Sequence, residues 1–188
     1  MRIYIDFKSA PAYLAIKPTL ALLGRLSIPA QWLPFDTRQT PLPGARENET
    51  RGETHVRVRQ EQRQQTCLKY AGIQGIPMAY PDEPGQTRCA LAALLHLQAE
   101  PLPFIEAAFT AYWRDHRDLD DTAVVKELLA ASGGDGAGFD PADYAHQLAI
   151  LQDEAVELGV FETPMYLVEE QLFLGREQLP WIESLLTA

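Results

Sequence analysis

Apolar and polar residues alternate over the first seven positions, which is the period of a strand with one buried face. The apolar residues of this run are Ile3, Ile5 and Phe7. From about Pro11 to Leu26 apolar residues return at steps of three and four, which predicts a helix. A second strand follows over 31–35, and its Pro34 favours an edge of the sheet. A strand, a helix and a strand in this order predict a βαβ unit with parallel strands.

Pro18 lies inside the predicted first helix. An interior proline removes a backbone hydrogen bond and costs about 3 kcal/mol unless something compensates for it. The pattern therefore leaves two alternatives open: one kinked helix, or two short helices that meet at Lys17.

The middle of the chain has the periodicity of helices. The segment 36–52 is rich in proline and charge and has no apolar period, so it is either a lid over a site or a mobile loop. Predicted helices follow at 53–70, 87–97, 103–113, 120–131 and 141–158. The last of them has the strongest start, because Asp140 is a good N-cap and Pro141 suits the first helical position.

The predicted helix from Glu53 to Tyr70 is the most basic segment of the chain. It carries Arg57, Arg59, Arg63 and Lys69 and few apolar residues. The pattern favours a solvated helix face over an anion-binding surface, which remains the alternative.

The end of the chain returns to strand character. The runs 165–168 and 171–174 flank Glu169-Glu170 as a hairpin whose turn lacks the usual Gly or Asn, and a closing helix spans 178–186. The order of elements predicts an α/β protein: a thioredoxin-like fold with an inserted all-helical domain. Residues 1–52 and 151–188 form the thioredoxin-like domain in this interpretation, and residues 53–150 form the insertion.

Composition narrows the possible partners. The 188 residues carry a net charge of −10 with a pI of about 4.8, which argues against a nucleic-acid or anionic-membrane surface but permits a small anionic ligand held by local arginines. No apolar run reaches the ~18–20 residues of a membrane span. Asp6 and Lys8 interrupt any signal-peptide pattern, so a cytoplasmic location is expected.

The cysteines and histidines indicate neither a redox pair nor a metal site. Cys67 and Cys89 are far apart in sequence, and we expect two ordinary reduced, mostly buried thiols. The histidines show no metal-ligand spacing with each other or with cysteine.

Three motifs resemble the 2-hydroxychromene-2-carboxylate isomerases and kappa-class glutathione transferases, the serine-bearing relatives of DsbA-type disulfide oxidoreductases. That family begins roughly Asp-Phe-x-Ser-Pro-x-Ser-Tyr-Leu-Ala, which is matched here by Asp6, Phe7, Ser9, Tyr13, Leu14 and Ala15. Two departures are that the proline lies one place later, at Pro11, and that Ala12 replaces the second serine. The second motif is Thr163-Pro164 before the hairpin, and the third is Gly175-Arg176-Glu177-Gln178, where the family has Gly-x-Asp-Arg. A weaker match is Lys69-Tyr70-Ala71 followed by Gly75-Ile76-Pro77.

The resemblance implies a glutathione site with separate tasks. Ser9 would donate a hydrogen bond to the glutathione thiolate, although a plain N-cap is the alternative role for it. The bond before Pro164 would be cis and lie beside the Ser9 turn, and the backbone of Thr163 would pair with the cysteinyl residue. Glu177 would bind the γ-glutamyl amine, unless it only complements a helix N-terminus. Arg176 and that helix N-terminus offer a place for a carboxylate.

Two functions follow from the resemblance. The first is a glutathione-dependent isomerase or transferase that acts on a small electrophilic substrate, with glutathione as cofactor or co-substrate. The alternative is a redox-inactive DsbA-like binding protein. A disulfide oxidoreductase that uses Cys67 or Cys89 is disfavoured, because the helix-initiating turn has Ser9 and Ala12 where the redox family has cysteines. A homodimer is left open.

Overall fold

The computed structural model describes residues 1–38, 49–97 and 100–187. Within these ranges one mixed sheet has the strand order β2-β1-β3-β4. β1 (Arg2–Ile5) pairs in parallel with β2 (Gln31–Pro34), and it pairs antiparallel with β3 (Met165–Val168). β3 in turn pairs antiparallel with β4 (Gln171–Leu174). The predicted parallel unit is confirmed, and β2 lies at an edge of the sheet, as its proline indicated.

The first helix is unbroken. α1 spans Ala10–Leu26 with Pro18 inside it, which settles the alternative in favour of one helix. In a regular helix the N–H of residue 18 would donate to the carbonyl oxygen of Leu14, and proline has no N–H to give. The side chain of Gln74 supplies the missing donor, since its Nε2 lies 3.2 Å from that oxygen.

The remaining helices lie close to their predicted positions. They are α2 (Arg51–Gln74), α3 (Arg88–His96), α4 (Leu102–Trp113), α5 (Thr122–Ala131), α6 (Ala145–Glu157) and α7 (Leu179–Thr187). One 3-10 turn, Pro141–Tyr144, leads into α6, and another, Arg176–Gln178, leads into α7. α2 is longer than predicted at both ends: Thr50 and Glu53 form a capping box at its start, and Gly75 ends it in the left-handed region.

The helical segment shares one hydrophobic core with the sheet. Phe7, just after β1, packs edge-on against Phe104 and Phe109 of α4, with ring centres 5.8 and 5.1 Å apart. The predicted limits of the insertion, 53 and 150, fall inside α2 and α6. The helices are inserted between β2 and β3 in sequence, but they pack against the sheet and share a hydrophobic core with it.

The hairpin between β3 and β4 turns at Glu169 and Glu170, whose φ angles are 46° and 65°. Two central residues with positive φ define a type I′ turn, which matches the twist of the flanking strands. The prediction of a hairpin is confirmed, and the turn type that the sequence left unclear is now assigned.

Three sequence expectations concern loops, membranes and metals. Most of the predicted loop 36–52 lies outside the described residues. Among the residues that the structure does describe, no helix is both long and apolar enough to cross a membrane. The same ranges contain no group of three or more His, Cys, Asp or Glu side chains placed to hold a metal ion.

Candidate functional site

Ser9 ends the turn between β1 and α1 and is the N-cap of the helix. Its hydroxyl accepts a hydrogen bond from the N–H of Ala12 at 3.3 Å, and its carbonyl oxygen accepts from the N–H of Tyr13 at 3.0 Å. Pro11 lies in the first turn of α1, where a missing N–H leaves no helical bond unmade. The displaced proline is thus compatible with a regular helix start.

The Ser9 turn faces the segment before β3. The Ser9 hydroxyl donates to the carbonyl oxygen of Thr163 at 2.9 Å. The Thr163-Pro164 bond is cis, and both the cis bond and its place beside Ser9 confirm the prediction. Thr163 is fully buried and Ser9 is only 5% exposed. The Oγ1 of Thr163 has no hydrogen-bond partner within the described parts of the chain.

A backbone hydrogen bond joins Pro164 to the third motif, since the N–H of Gly175 donates to the carbonyl oxygen of Pro164 at 2.9 Å. Gly175 has a φ of 82°, and a Cβ there would lie 2.7 Å from the Oε2 of Glu177. The positive φ favours glycine here, whereas the end of the exposed Glu177 side chain could move aside for a Cβ. Arg176 and Glu177 come directly after Gly175, whose N–H is bonded to the cis proline, so the third motif begins beside Pro164.

The side chains of Arg176 and Glu177 differ in exposure. The Nε of Arg176 donates to Glu177 at 3.2 Å, and the two side chains are 15% and 67% exposed. The guanidinium carbon of Arg176 lies 3.7 Å from the centre of the Tyr70 ring on α2. Its Nη1 is buried with no acceptor in the described ranges. Sequence reasoning singled out Tyr70 within a motif but gave it no role, because its partner lies 106 positions away.

A buried network of charges lies beside the turn. Asp6 is fully buried, and its carboxylate accepts from the hydroxyls of Thr37 and Thr87, each at 2.6 Å. The Lys8 ammonium is 3.2 Å from Asp6 and also bonds Asp36. Sequence reasoning matched Asp6 to a family motif but missed Lys8, since a lysine after a strand usually reaches solvent.

Asp36 joins this network to the helical segment. Arg88 of α3 donates to it at 2.8 Å, and the amide of Gln152 on α6 bonds its backbone on both sides. Burial alone would raise the pKa of Asp36, but the hydrogen bonds from Lys8 and Arg88 outweigh burial and lower that pKa. Asp36 is therefore ionised at neutral pH and ties the end of β2 to two helices.

Both cysteines are free thiols: Cys67 is half-buried and Cys89 is buried. Burial raises the pKa of each thiol, and the nearby hydroxyls of Tyr80 and Thr122 only partly offset this. A thiol must ionise to act as a nucleophile, so neither cysteine is activated at neutral pH.

A cis proline faces the N-terminus of α1, and helices are inserted between β2 and β3 of a four-stranded mixed sheet. These features define the class of thioredoxin-like proteins with a helical insertion. The chain belongs to the family of DSBA-like thioredoxin domains, whose model matches residues 1–187.

Solved structures give the same fold. A 2-hydroxychromene-2-carboxylate isomerase is 19% identical with a TM-score of 0.68, and the match covers 99% of this chain and 93% of that one. A probable DsbA oxidoreductase from Streptomyces coelicolor is 18% identical with a TM-score of 0.73, covering 99% and 87%. The cytosolic disulfide reductase DsbM from Pseudomonas aeruginosa, solved with GSH, is 17% identical with a TM-score of 0.64, covering 100% and 98%. No curated protein matches the sequence.

Proposed function

We propose that this protein is a cytoplasmic glutathione-dependent isomerase or transferase that acts on a small electrophilic substrate, aromatic substrates included. The observation that carries the proposal is the position of Ser9, which lies at the N-terminus of α1 with its hydroxyl 2.9 Å from the carbonyl oxygen of Thr163, beside the cis Thr163-Pro164 bond. The similarity to an isomerase and to a reductase solved with GSH supports it.

The residues around Ser9 fit glutathione in two ways. Arg176 has a buried Nη1 without an acceptor in the described ranges, and a carboxylate of the tripeptide would satisfy it. The Ser9 hydroxyl lies at a helix N-terminus, where backbone N–H groups and the helix dipole stabilise negative charge. When bound, glutathione supplies a nucleophilic sulfur.

Each protein group has a separate task in this proposal. Ser9 turns its hydroxyl from Thr163 toward the sulfur and stabilises the thiolate, while the released carbonyl of Thr163 accepts an N–H of the peptide as an added strand would. Glu177 accepts the γ-glutamyl amine, and Arg176 donates to a carboxylate. The protein contributes positioning and electrostatic stabilisation.

A second candidate function is a redox-inactive binding protein of the same fold. It is favoured by the observation that the Ser9 hydroxyl already has two partners, Ala12 and Thr163. In this interpretation Ser9 is an N-cap that closes the turn, and no thiolate is stabilised.

Calorimetry of the wild type with glutathione, S-methylglutathione and oxidised glutathione distinguishes the two functions. The enzyme proposal expects binding of reduced glutathione with release of a proton at pH 7, and it expects S-methylglutathione to bind without proton release. Absence of binding at millimolar glutathione rejects the enzyme and leaves the binding protein. If glutathione and S-methylglutathione bind equally and neither releases a proton, the result also supports the binding protein.

A further inference from the structure

The guanidinium of Arg176 is held by two contacts, but one of its N–H donor groups has no acceptor in the described parts of the chain. One of its faces lies on the Tyr70 ring, its Nε donates to Glu177, and its Nη1 is buried without an acceptor in the described parts of the chain. A buried donor left without an acceptor is costly, and native proteins rarely keep one without a reason. An arginine that is stacked on an aromatic ring and still has an unpaired N–H donor is suited to bind a carboxylate.

Helix α2 places Tyr70 by a direct attachment to α1. Gln74, one turn after Tyr70, donates to the carbonyl oxygen of Leu14, and its own carbonyl oxygen accepts from Lys17 at 3.4 Å. Tyr70 itself is 41% exposed, so the Arg176 contact, rather than core packing, explains the position of its ring.

A second cation lies on the same side of α2. Arg63, Cys67, Tyr70 and Gln74 follow one another at steps of four, three and four, so they share one helix face. Arg63 is therefore on the face of α2 that carries Tyr70, the ring on which Arg176 lies, and the Glu177 carboxylate is bonded to Arg176. In a chain with a net charge of −10, the two arginines outnumber this one acid and form a local positive site.

The positive site adjoins the Ser9 turn. Tyr80, beside Cys67, packs edge-on against Trp113 at 5.1 Å, and the Nε1 of Trp113 donates to the carbonyl oxygen of Phe7 at 2.9 Å. On its other side Arg176 follows Gly175, which is bonded to Pro164. Contacts through Trp113 and through Pro164 therefore link the Ser9 turn to the positive site.

We propose that Tyr70 is a positioning residue that holds Arg176 as a carboxylate receptor, and that Arg63 is the second cation of the same subsite. The ligand is a small peptide-like molecule with a free carboxylate. The inference extends the proposed function. It depends on that function only where glutathione is taken to be the peptide-like ligand. It replaces the solvated-face interpretation of this part of α2 with the anion-binding alternative.

Nuclear magnetic resonance tests the subsite without glutathione. The Nε–H signal of Arg176, assigned by its loss in Arg176→Lys, is followed during titration with glutarate and with neutral glutaramide. We expect glutarate to shift the signal in the wild type and glutaramide to leave it unchanged. Tyr70→Leu should weaken glutarate binding roughly tenfold, whereas the matched control Tyr70→Phe keeps the ring and should stay within about twofold. Arg63→Gln should reduce the dependence of binding on salt.

The outcomes separate this inference from the proposed function. Glutarate binding that depends on Tyr70 supports the subsite even if glutathione does not bind, and in that case only the proposed function fails. Equal binding by the wild type and by a folded Tyr70→Leu overturns the inference and leaves the glutathione proposal standing. A response to glutaramide equal to that of glutarate also overturns it, since no carboxylate is then recognised.

Discussion

The hydroxyl of Ser9 and the carbonyl oxygen of Thr163 are 2.9 Å apart although 154 positions separate them in the chain. This contact closes the start of α1 onto the segment before β3, and it uses the hydroxyl proton that Ser9 would have to donate to a thiolate. The strength of that competition decides which of the two candidate functions is correct.

Ser9→Ala should affect thiol ionisation more than ligand affinity. The variant loses the donor to sulfur but keeps the helix N-terminus and the backbone of Thr163, so the Kd of glutathione should stay within a few-fold. The pKa of the bound thiol should rise, which thiolate absorbance measured against pH would detect. Ser184→Ala, which removes a serine hydroxyl from α7, is the control. An unchanged thiol pKa in Ser9→Ala would mean that Ser9 is only an N-cap.

Glu177→Ala should weaken glutathione binding by roughly ten- to hundredfold. Loss of one charge-assisted hydrogen bond costs about 1.5–3 kcal/mol, and Glu177 is the acid assigned to the γ-glutamyl amine. Calorimetry measures the Kd. Glu183→Ala is the matched control, since Glu183 is also a partly exposed acid paired with an arginine, Arg25. If both variants bind as the wild type does, Glu177 has no part in recognition.

Asp36→Asn should destabilise the protein at pH 7 by about 1–3 kcal/mol, because the charged partner of Lys8 and Arg88 is lost. The folded-state pKa of Asp36 lies below its ordinary value of 3.8. Its stabilising effect is therefore complete above that value and disappears as the pH falls through the folded-state pKa. Thermal unfolding at a series of pH values should show the variant and the wild type converging in acid, with the exposed Asp153→Asn as the control.

Thr163→Val should leave the protein as stable as the wild type or stabilise it by about 1 kcal/mol. The Thr163 hydroxyl is fully buried, and its Oγ1 has no partner among the residues described, so replacing it with a methyl group removes an unsatisfied polar atom. The backbone groups assigned to glutathione remain. Denaturant unfolding measures the stability, and a loss of more than 1 kcal/mol would show that the hydroxyl has a stabilising partner after all.

The sequence predicted the fold well because the pattern of strands and helices is local. The βαβ start, the hairpin at 165–174 and the start near Asp140 each follow from residues within a few positions. The place of the cis Thr163-Pro164 bond beside Ser9 was also predicted, but only through the family resemblance, since nothing in the spacing of these residues indicates it.

The contacts that sequence reasoning missed mostly join distant parts of the chain, and the residues that make them more often face solvent. Tyr70 on Arg176 and Lys8 between two aspartates depend on which helix face meets which loop. Charged residues on a polar helix usually face solvent, so the sequence favoured that outcome for α2. Only the three-dimensional packing shows which of them have partners.

Pro18 has a consequence for the way this molecule can diverge. Because proline has no N–H, the carbonyl oxygen of Leu14 is available to the side chain of Gln74. A bond missing inside α1 is thus replaced by a bond between α1 and α2. Replacing the proline alone would restore the internal bond of α1 and remove this bond between the two helices, and replacing Gln74 alone would leave an oxygen without a donor. The two positions are therefore expected to change together among homologues. Since Gln74 lies one turn after Tyr70 on α2, such a pair of substitutions would shift the proposed carboxylate subsite without contacting its ligand.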